Sequence, residues 1–275
     1  MTMNFRNILQ VGIALIFSVA ILLTGFSLAA QADSKLIVIG SDPWCPFVCV
    51  DEGSNQGLMV DIAIEALALS GYKVTFQNIN WARAKKMVRA GKLDGIVGTS
   101  QSTQDQTPYD FPETALGVAV TCFFRRVGDA WEYTSVASLE KHTMGWINDY
   151  GFGSGSPLDE WVKAHKGTSN ILTVSGTNTH PRLFKLLQGK RINTFAEDRF
   201  VISYALKKMA LLDKIEPAGC VEPTEKVYVA FSQKTGKGKT LAKALDEGVV
   251  GLRQSGRLRA ILEVYGLTLD DWQPQ

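Results

Sequence analysis

The stretch KLIVIGS at residues 35–41, with LMVDIAIEALAL at 58–69 and YKVTFQNI at 72–79, decides the fold. The first and third segments have the length and residue types of strands. The second carries apolar residues at helical spacing and is followed by Gly71, a typical residue after the last turn of a helix. A strand, a helix and another strand in this order predict a parallel sheet with helices on its faces.

The same alternation continues along the rest of the chain. A helix at 82–90 and a buried strand at 95–99 extend the first set, and a second set begins after Arg126. This second set has predicted strands at 144–147, 171–174, 193–196 and 226–231, and predicted helices at 157–166, 181–188, 199–212, 240–254 and 258–265. Two sets of alternating elements predict an α/β protein with two similar lobes.

Residues 1–32 have the order of an export signal. One cation, Arg6, precedes an apolar run at residues 8–28, and a small-x-small segment ending at Ala32 follows it. This order predicts a signal peptide that is cleaved after Ala32 and a mature protein in the periplasm. A permanent membrane anchor is the alternative, since the apolar run is nearly long enough to span a bilayer.

The charge balance argues against nucleic-acid binding. The chain has 29 Lys and Arg against 27 Asp and Glu, whereas a nucleic-acid-binding protein needs a basic face. Four cysteines, Cys45, Cys49, Cys122 and Cys220, would meet an oxidising compartment after export, where disulfides form. Four cysteines allow three pairings. No histidine lies near Cys45 in the sequence, which favours disulfides over a metal site.

Several short motifs, each weak alone, occur in a fixed order along the chain. They are SDPWCPF at 41–47, GLMVDI at 57–62, Trp81, GKLDG at 91–95, GTS at 98–100 and DFP at 110–112. With these motifs the chain resembles the periplasmic solute-binding proteins of polar amino acid ABC transporters, the bacterial extracellular solute-binding family 3. The resemblance extends from residue 35 to residue 272.

The resemblance implies a two-lobed periplasmic-binding-protein fold of type II, in which each lobe is a mixed sheet flanked by helices. The first lobe would hold residues 33–117 and 230–275, the second residues 118–229, and two crossing segments would form the hinge. A small polar solute, an amino acid or a related amine-bearing compound, would bind in the cleft. A monomeric protein without cofactor or metal would deliver this solute to an ABC transporter permease in the inner membrane.

The resemblance also implies binding residues in the first lobe. Trp44 would form an aromatic wall, and the prolines on both sides of it favour a pocket position over the lobe core. Trp81 would form a second wall, with core packing an equal alternative. Gly98, Thr99 and Ser100 would present N–H groups and a hydroxyl to an anionic ligand group, and a plain polar turn is the alternative.

In the second lobe, the resemblance places Asp149 and Tyr150 in a binding loop after a strand. Asp198 would hold the amino group of the ligand. An aspartate in front of a helix is also a common N-cap, and the two roles can coexist. Glu197, next to it, is the fallback for the same role.

One departure from the family bears on the ligand. Family members follow the segment at 98–100 with Thr-x-Glu-Arg, whose arginine clamps a carboxylate through two hydrogen bonds. Here Asp105 stands at the place of that arginine. Arg83 is the candidate substitute, with a solvated helix charge as the alternative, and Arg125 is the second candidate. Without a substitute, the ligand would be a cationic or amine-bearing solute rather than an ordinary α-amino acid.

Two disulfides are expected within this architecture. Cys45 and Cys49 bracket the loop that carries Trp44 and are expected to pair. Cys122 and Cys220 would both lie near the hinge on the second lobe, so they are expected to form the other disulfide. Free buried thiols are the alternative.

Two other functions are alternatives to solute transport. An enzyme on the same fold, similar to a cyclohexadienyl dehydratase, needs an acid and a base in the cleft, and Asp149, Glu197 and Asp198 could supply them. No Ser-His-Asp, Cys-His or metal set stands out in the sequence, which favours a binding protein over an enzyme. A ligand sensor that docks on a membrane receptor is the second alternative.

Overall fold

The computed structural model describes residues 35–50, 55–102 and 108–272, so the predicted signal peptide and Asp105 lie outside the described residues. The described chain forms two mixed sheets flanked by helices, which confirms the predicted fold class. No helix in this part of the chain is both long and apolar enough to cross a bilayer.

The first sheet contains β1 (Lys35–Ser41), β2 (Tyr72–Asn78), β3 (Gly95–Ser100), β4 (Tyr109–Asp110), β5 (Gly117–Ala119) and the late strand β11 (Glu225–Ser232). Its order is β2-β1-β3-β11-β4, and β5 also pairs with β11. β1 is parallel to β2 and β3, whereas β11 runs antiparallel to β3. The carboxyl ends of β1 and β3 therefore lie at the same edge of the sheet.

The second sheet contains β6 (Thr121–Arg126), β7 (Met144–Ile147), β8 (Ile171–Val174), β9 (Thr194–Asp198) and β10 (Ile215–Cys220). Its order is β10-β6-β9-β7-β8. β7 is parallel to β8 and β9, and β6 is antiparallel to β9 and β10. The sequence pattern did not predict β6 or β10.

Helices cover the apolar faces of both sheets. The first sheet packs against α1 (Leu58–Ala68), α2 (Trp81–Arg89), α6 (Gly238–Gln254), α7 (Arg257–Val264) and α8 (Leu269–Trp272). The second packs against α3 (Pro157–His165), α4 (Thr179–Gln188) and α5 (Arg199–Lys208). α1 and α6 approach closely at Gly248, where a Cβ would lie 2.3 Å from the carbonyl oxygen of Ala66.

Two element boundaries differ from the sequence pattern for identifiable reasons. The helix predicted at 199–212 ends at Lys208, and Ala210 just beyond it has a left-handed backbone with φ 54°. The strand predicted at 193–196 runs on to Asp198, whose side chain then caps α5. The longer strand carries both Glu197 and Asp198 into the space between the sheets.

The chain crosses between the sheets twice. It passes from β5 to β6 at Val120 and returns between Cys220 and Glu225. The predicted lobe limits placed the return at residues 229 and 230, whereas β11 belongs to the first sheet from Glu225 onward because it pairs with β5 and β3. Beside the first crossing, the indole of Trp272 donates to the carbonyl oxygen of Leu116 (2.9 Å).

Candidate functional site

A small cavity of ≈ 80 Å³ lies where residues of the two sheets face each other. It is lined at the carboxyl ends of strands, where α/β proteins commonly bind ligands. Four carboxyl side chains and four aromatic rings contribute to its wall: Asp42, Glu197, Asp198, Glu225, Trp44, Trp81, Tyr150 and Phe152. Gly98, Thr99 and Ser100 line it at the end of β3, as the family resemblance implies.

Trp44 forms one wall of the cavity. Its loop is closed by the Cys45–Cys49 disulfide, and its ring lies 4.7 Å from that of Phe47, centroid to centroid. Gly98 lies beside the indole and has a φ of 86°, a left-handed backbone conformation that favours glycine. Across the cleft, the Trp44 Nε1 donates to Oε1 of Glu197 (3.0 Å).

Trp81 lines the cavity and also packs in the core of the first lobe. It begins α2, which is capped by the side chain of Asn80. Its ring meets Tyr150 edge-on at 5.9 Å, and its Nε1 donates to the carbonyl oxygen of Asp149 (3.1 Å). The second aromatic wall is therefore shared between the first and second sheets.

Asp42 is a carboxyl group buried in the cavity wall, with 2% of its surface exposed. It accepts a hydrogen bond from the hydroxyl of Tyr150 (3.1 Å). Burial raises the pKa of Asp42 from its ordinary value of 3.8 to about 7, while His180 and Tyr150 act in the opposite direction. Burial likewise raises the pKa of Tyr150 well above its usual value. Asp42 was absent from the residues that the sequence singled out.

The side chain of Glu197 contacts three different parts of the site, and only 4% of the surface of Glu197 is exposed. Its Oε1 accepts from the Trp44 indole (3.0 Å) and from the backbone N–H of Asp198 (2.8 Å). Its Oε2 lies 3.0 Å from Nε2 of His180 on α4. The Glu197 carboxylate thus positions the Trp44 indole across the cleft, and His180 contacts the other oxygen of the same carboxylate.

Asp198 is the N-cap of α5. Its Oδ1 accepts from the backbone N–H groups of Phe200 (2.8 Å) and Val201 (3.0 Å), and its Oδ2 from that of Val120 (2.7 Å). Burial raises the pKa of Asp198 to about 7, although these three donors favour the carboxylate. The cap joins the second sheet to the first crossing segment, so the side chain has a structural role whatever it binds.

Replacing Asp198 by alanine is expected to lower the free energy of unfolding by about 1–2 kcal/mol, because the N-cap hydrogen bonds are lost. Asn is as good an N-cap as Asp, so Asp198→Asn is expected to stay near the wild-type value. Urea unfolding of the two variants measures this difference. Equal destabilisation in both variants would show that the negative charge, rather than the cap, stabilises the fold.

Three residues that the sequence singled out lie elsewhere. Arg83 is exposed on α2 and does not line the cavity, so the structure does not bring this candidate clamp to the site. The backbone carbonyl oxygen of Asp149 accepts from Trp81 and Lys85, and Asp149 lines a neighbouring recess rather than the cavity. Arg125 pairs with Glu216 outside the cavity. Among the described lining residues, none is lysine, arginine or histidine.

Both predicted disulfides are present. Cys45–Cys49 closes the loop of Trp44, and Cys122–Cys220 joins β6 to β10 directly beside the two crossings. All four cysteines are therefore oxidised, as expected of an exported protein. In the described part of the chain, no cluster of His, Cys, Asp and Glu is arranged to hold a metal ion.

The sequence matches the model of the bacterial extracellular solute-binding proteins, family 3, over residues 36–268. The chain belongs to this family. The matched range covers both sheets and the strands that line the cavity. No curated protein matches this family 3 chain in sequence.

Solved structures share the fold of this family 3 protein. A histidine kinase sensor domain similar to periplasmic binding proteins has a TM-score of 0.70 and 16% identity, over 86% of this chain and 98% of that one. The substrate-binding protein AbpA from Streptococcus pneumoniae, bound to L-arginine, has a TM-score of 0.64 and 20% identity, over 86% and 95%. The arginine-, lysine-, histidine-binding protein ArtJ from Geobacillus stearothermophilus has a TM-score of 0.66 and 15% identity, over 85% and 95%.

Proposed function

We propose that this family 3 protein binds a small amine-bearing solute in the periplasm and delivers it to an ABC transporter permease in the inner membrane. One observation carries the choice of ligand. Carboxyl groups of both sheets line the cavity, and the described lining residues include no lysine, arginine or histidine. Buried charges need a partner of opposite sign, so a cationic group is the ligand that such a cavity favours.

Among the three buried carboxyl groups of the lining, Asp42 has the most acceptor capacity left for a ligand. Glu197 accepts from three groups of the protein, and Asp198 accepts from three backbone N–H groups. An ionised carboxylate can accept about four hydrogen bonds, whereas the structure gives Asp42 one side-chain donor, Tyr150. We therefore place the positive group of the ligand against Asp42.

The remaining walls fit a compact cation. Trp44, Trp81 and Tyr150 offer rings that attract a cation through their faces. The volume of ≈ 80 Å³ lies well below the ~300 Å³ at which pockets for drug-sized ligands begin. The ligand is thus expected to be well below drug size, as small alkyl amines and guanidines are.

An ordinary α-amino acid fits this cavity less well than the corresponding amine, which lacks the carboxylate. The carboxylate would enter a space lined by Asp42, Glu197 and Asp198 without a cation of the protein to meet it. A buried charged group without its partner costs upwards of about 1–3 kcal/mol, and each 1.4 kcal/mol corresponds to about tenfold in affinity. Thr99, Ser100 and Gly98 offer only neutral hydrogen-bonding groups at the end of β3.

The test compares amines with the α-amino acids that differ from them by one carboxylate. Agmatine, cadaverine and putrescine are measured against arginine, lysine and ornithine by thermal shift and calorimetry, on protein freed of bound solute by unfolding and refolding. We expect the amines to bind at least tenfold more tightly, because they place no carboxylate beside Asp42. Each mixture is also checked for turnover by mass spectrometry, which would reveal a cleft enzyme.

Two variants show whether the ligand binds where we place it. Asp42→Asn is expected to abolish amine binding, because it removes the charge that meets the cation. Arg83→Ala, on the exposed face of α2, is the matched control and is expected to bind as the wild type does. Tight binding of an α-amino acid that survives Asp42→Asn and is lost in Arg83→Ala would overturn the proposal.

A further inference from the structure

The structure has a cleft that is closed by direct contacts between its two sides. Tyr150 donates to Asp42 (3.1 Å), Trp44 donates to Glu197 (3.0 Å), and Trp81 donates to the carbonyl oxygen of Asp149 (3.1 Å). In each pair, one residue is near the first sheet and the other is near the second. These contacts exclude solvent from Asp42, which would regain it if the cleft opened.

The groups that face Asp42 do not neutralise its charge. Tyr150, from the loop after β7, is a neutral donor. Glu197 and Asp198 on β9 and Glu225 on β11 are acids that line the same cavity. His180 on α4 bonds to Glu197 rather than to Asp42, and although it favours the Asp42 carboxylate, the effect of burial on the pKa of Asp42 is larger. A carboxylate that is buried among such groups without a cation is unfavourable, and a carboxyl group in this situation usually becomes protonated.

We propose that Asp42 takes up a proton when the cleft closes without a ligand, and that a cationic solute later replaces this proton. The proton passes from solvent to the Asp42 carboxylate on closing and returns to solvent when the cation binds. The first half of the proposal concerns the protein alone. The second half rests on the proposed function and adds that the ligand is selected by its charge.

The pH dependence follows from the burial of Asp42. Its pKa is about 7 in the closed cleft, against an ordinary value of 3.8 when solvent reaches it. Well below pH 3.8 both states are protonated and closure has no charge cost. As the pH rises towards 7, the open state loses its proton and the closed state keeps it, so closure becomes less favourable. Between about pH 5 and about pH 8.5, the closure equilibrium is expected to fall roughly 100-fold for this one group.

The experiment follows the ligand-free protein by small-angle scattering and by tryptophan fluorescence at both pH values. Trp44 and Trp81 donate across the cleft, so their emission reports its opening. We expect the wild type to be compact at the low pH and expanded at the high pH, and Asp42→Asn to be compact at both. Asp61→Asn is the matched control. Burial also raises the pKa of Asp61, but its side chain bonds to Tyr265 within the first lobe, so this variant is expected to respond as the wild type does.

A second variant separates Asp42 from the nearby histidine. Histidine side chains as a class change charge near neutral pH. A pH response that persists in Asp42→Asn and disappears in His180→Gln would overturn the proposal, as would a wild type whose radius is the same at both pH values. Melting temperatures of each variant confirm that the compared proteins are folded.

Calorimetry with agmatine tests the exchange itself. At about pH 5.5, titrations in two buffers of different ionisation enthalpy are expected to show close to one proton released per agmatine bound. At about pH 8.5 no release is expected, since Asp42 is already ionised. Agmatine binding without proton release at the low pH would overturn the exchange. If none of the amines binds, the proposed function fails, whereas the ligand-free pH response still decides whether Asp42 titrates on closing.

Discussion

Replacing Cys122 and Cys220 together by alanine is expected to lower the free energy of unfolding by about 4.7 kcal/mol, the entropic value for a closed loop of ~100 residues. The two cysteines are 98 residues apart in the sequence, and the loop between them contains nearly all of the second sheet. Without the bond, the unfolded chain gains the freedom that this loop closure removes. Urea unfolding of the oxidised wild type and of the double variant measures the difference.

The short disulfide provides the matched control. Cys45 and Cys49 are only 4 residues apart, so replacing both by alanine is expected to cost about 2 kcal/mol by the same relation. Since this loop carries Trp44, its removal is expected to weaken solute binding more than removal of the long disulfide does. Two variants with equal loss of stability would show that loop entropy does not govern either bond.

Glu197→Ala is expected to lower the free energy of unfolding by about 3 kcal/mol or more, because it leaves three buried groups without their acceptor and each unsatisfied group costs about 1–3 kcal/mol. The substitution leaves the Trp44 indole, the backbone N–H of Asp198 and the His180 ring without their common acceptor. Glu197→Gln keeps an acceptor oxygen and should recover most of the loss. Thermal and urea unfolding of both variants provide the comparison.

Glu197→Gln has a second expected effect, which stability alone does not show. The charge of Glu197 is one of the causes that raise the pKa of Asp42 in the closed cleft. Removing this charge should therefore lower the pH at which the ligand-free cleft opens. A midpoint that stays in place or moves upward would contradict the electrostatic coupling between these two carboxyl groups.

Local sequence patterns were enough to place most of the elements and one wall of the cavity. The strand KLIVIGS and the prolines around Trp44 depend on neighbours in the chain, and both positions agree with the structure. Gly98, Thr99 and Ser100 end a strand that faces the cavity, as the order of motifs indicated. These features follow from backbone periodicity and turn residues, which a short window of sequence contains.

The contacts of the carboxyl groups in the cavity wall cannot be predicted from short stretches of sequence. Trp44 and Glu197 are 153 residues apart, and Asp42 and Tyr150 are 108 residues apart, so no periodicity relates them. His180 occupies the first turn of α4, where its sequence neighbours give no sign of a buried acid. Arg83 is a candidate on the basis of its charge, which suits a carboxylate. Whether a side chain on a helix reaches a cavity depends instead on the face of the helix on which it lies.

The position of β11 in the first sheet has a consequence for the order of folding. This strand pairs with β3 although the whole second sheet lies between them in the chain. Pairings between distant segments form late, because the entropy of loop closure must be overcome before their contacts contribute. The longest pairing inside the second sheet, that of Cys122 with Cys220, closes a loop of 98 residues, whereas the pairing of β3 with β11 encloses this whole sheet in a longer loop. We therefore expect the second sheet to assemble first. Its compaction then brings β11 close to β3, and the first sheet can be completed.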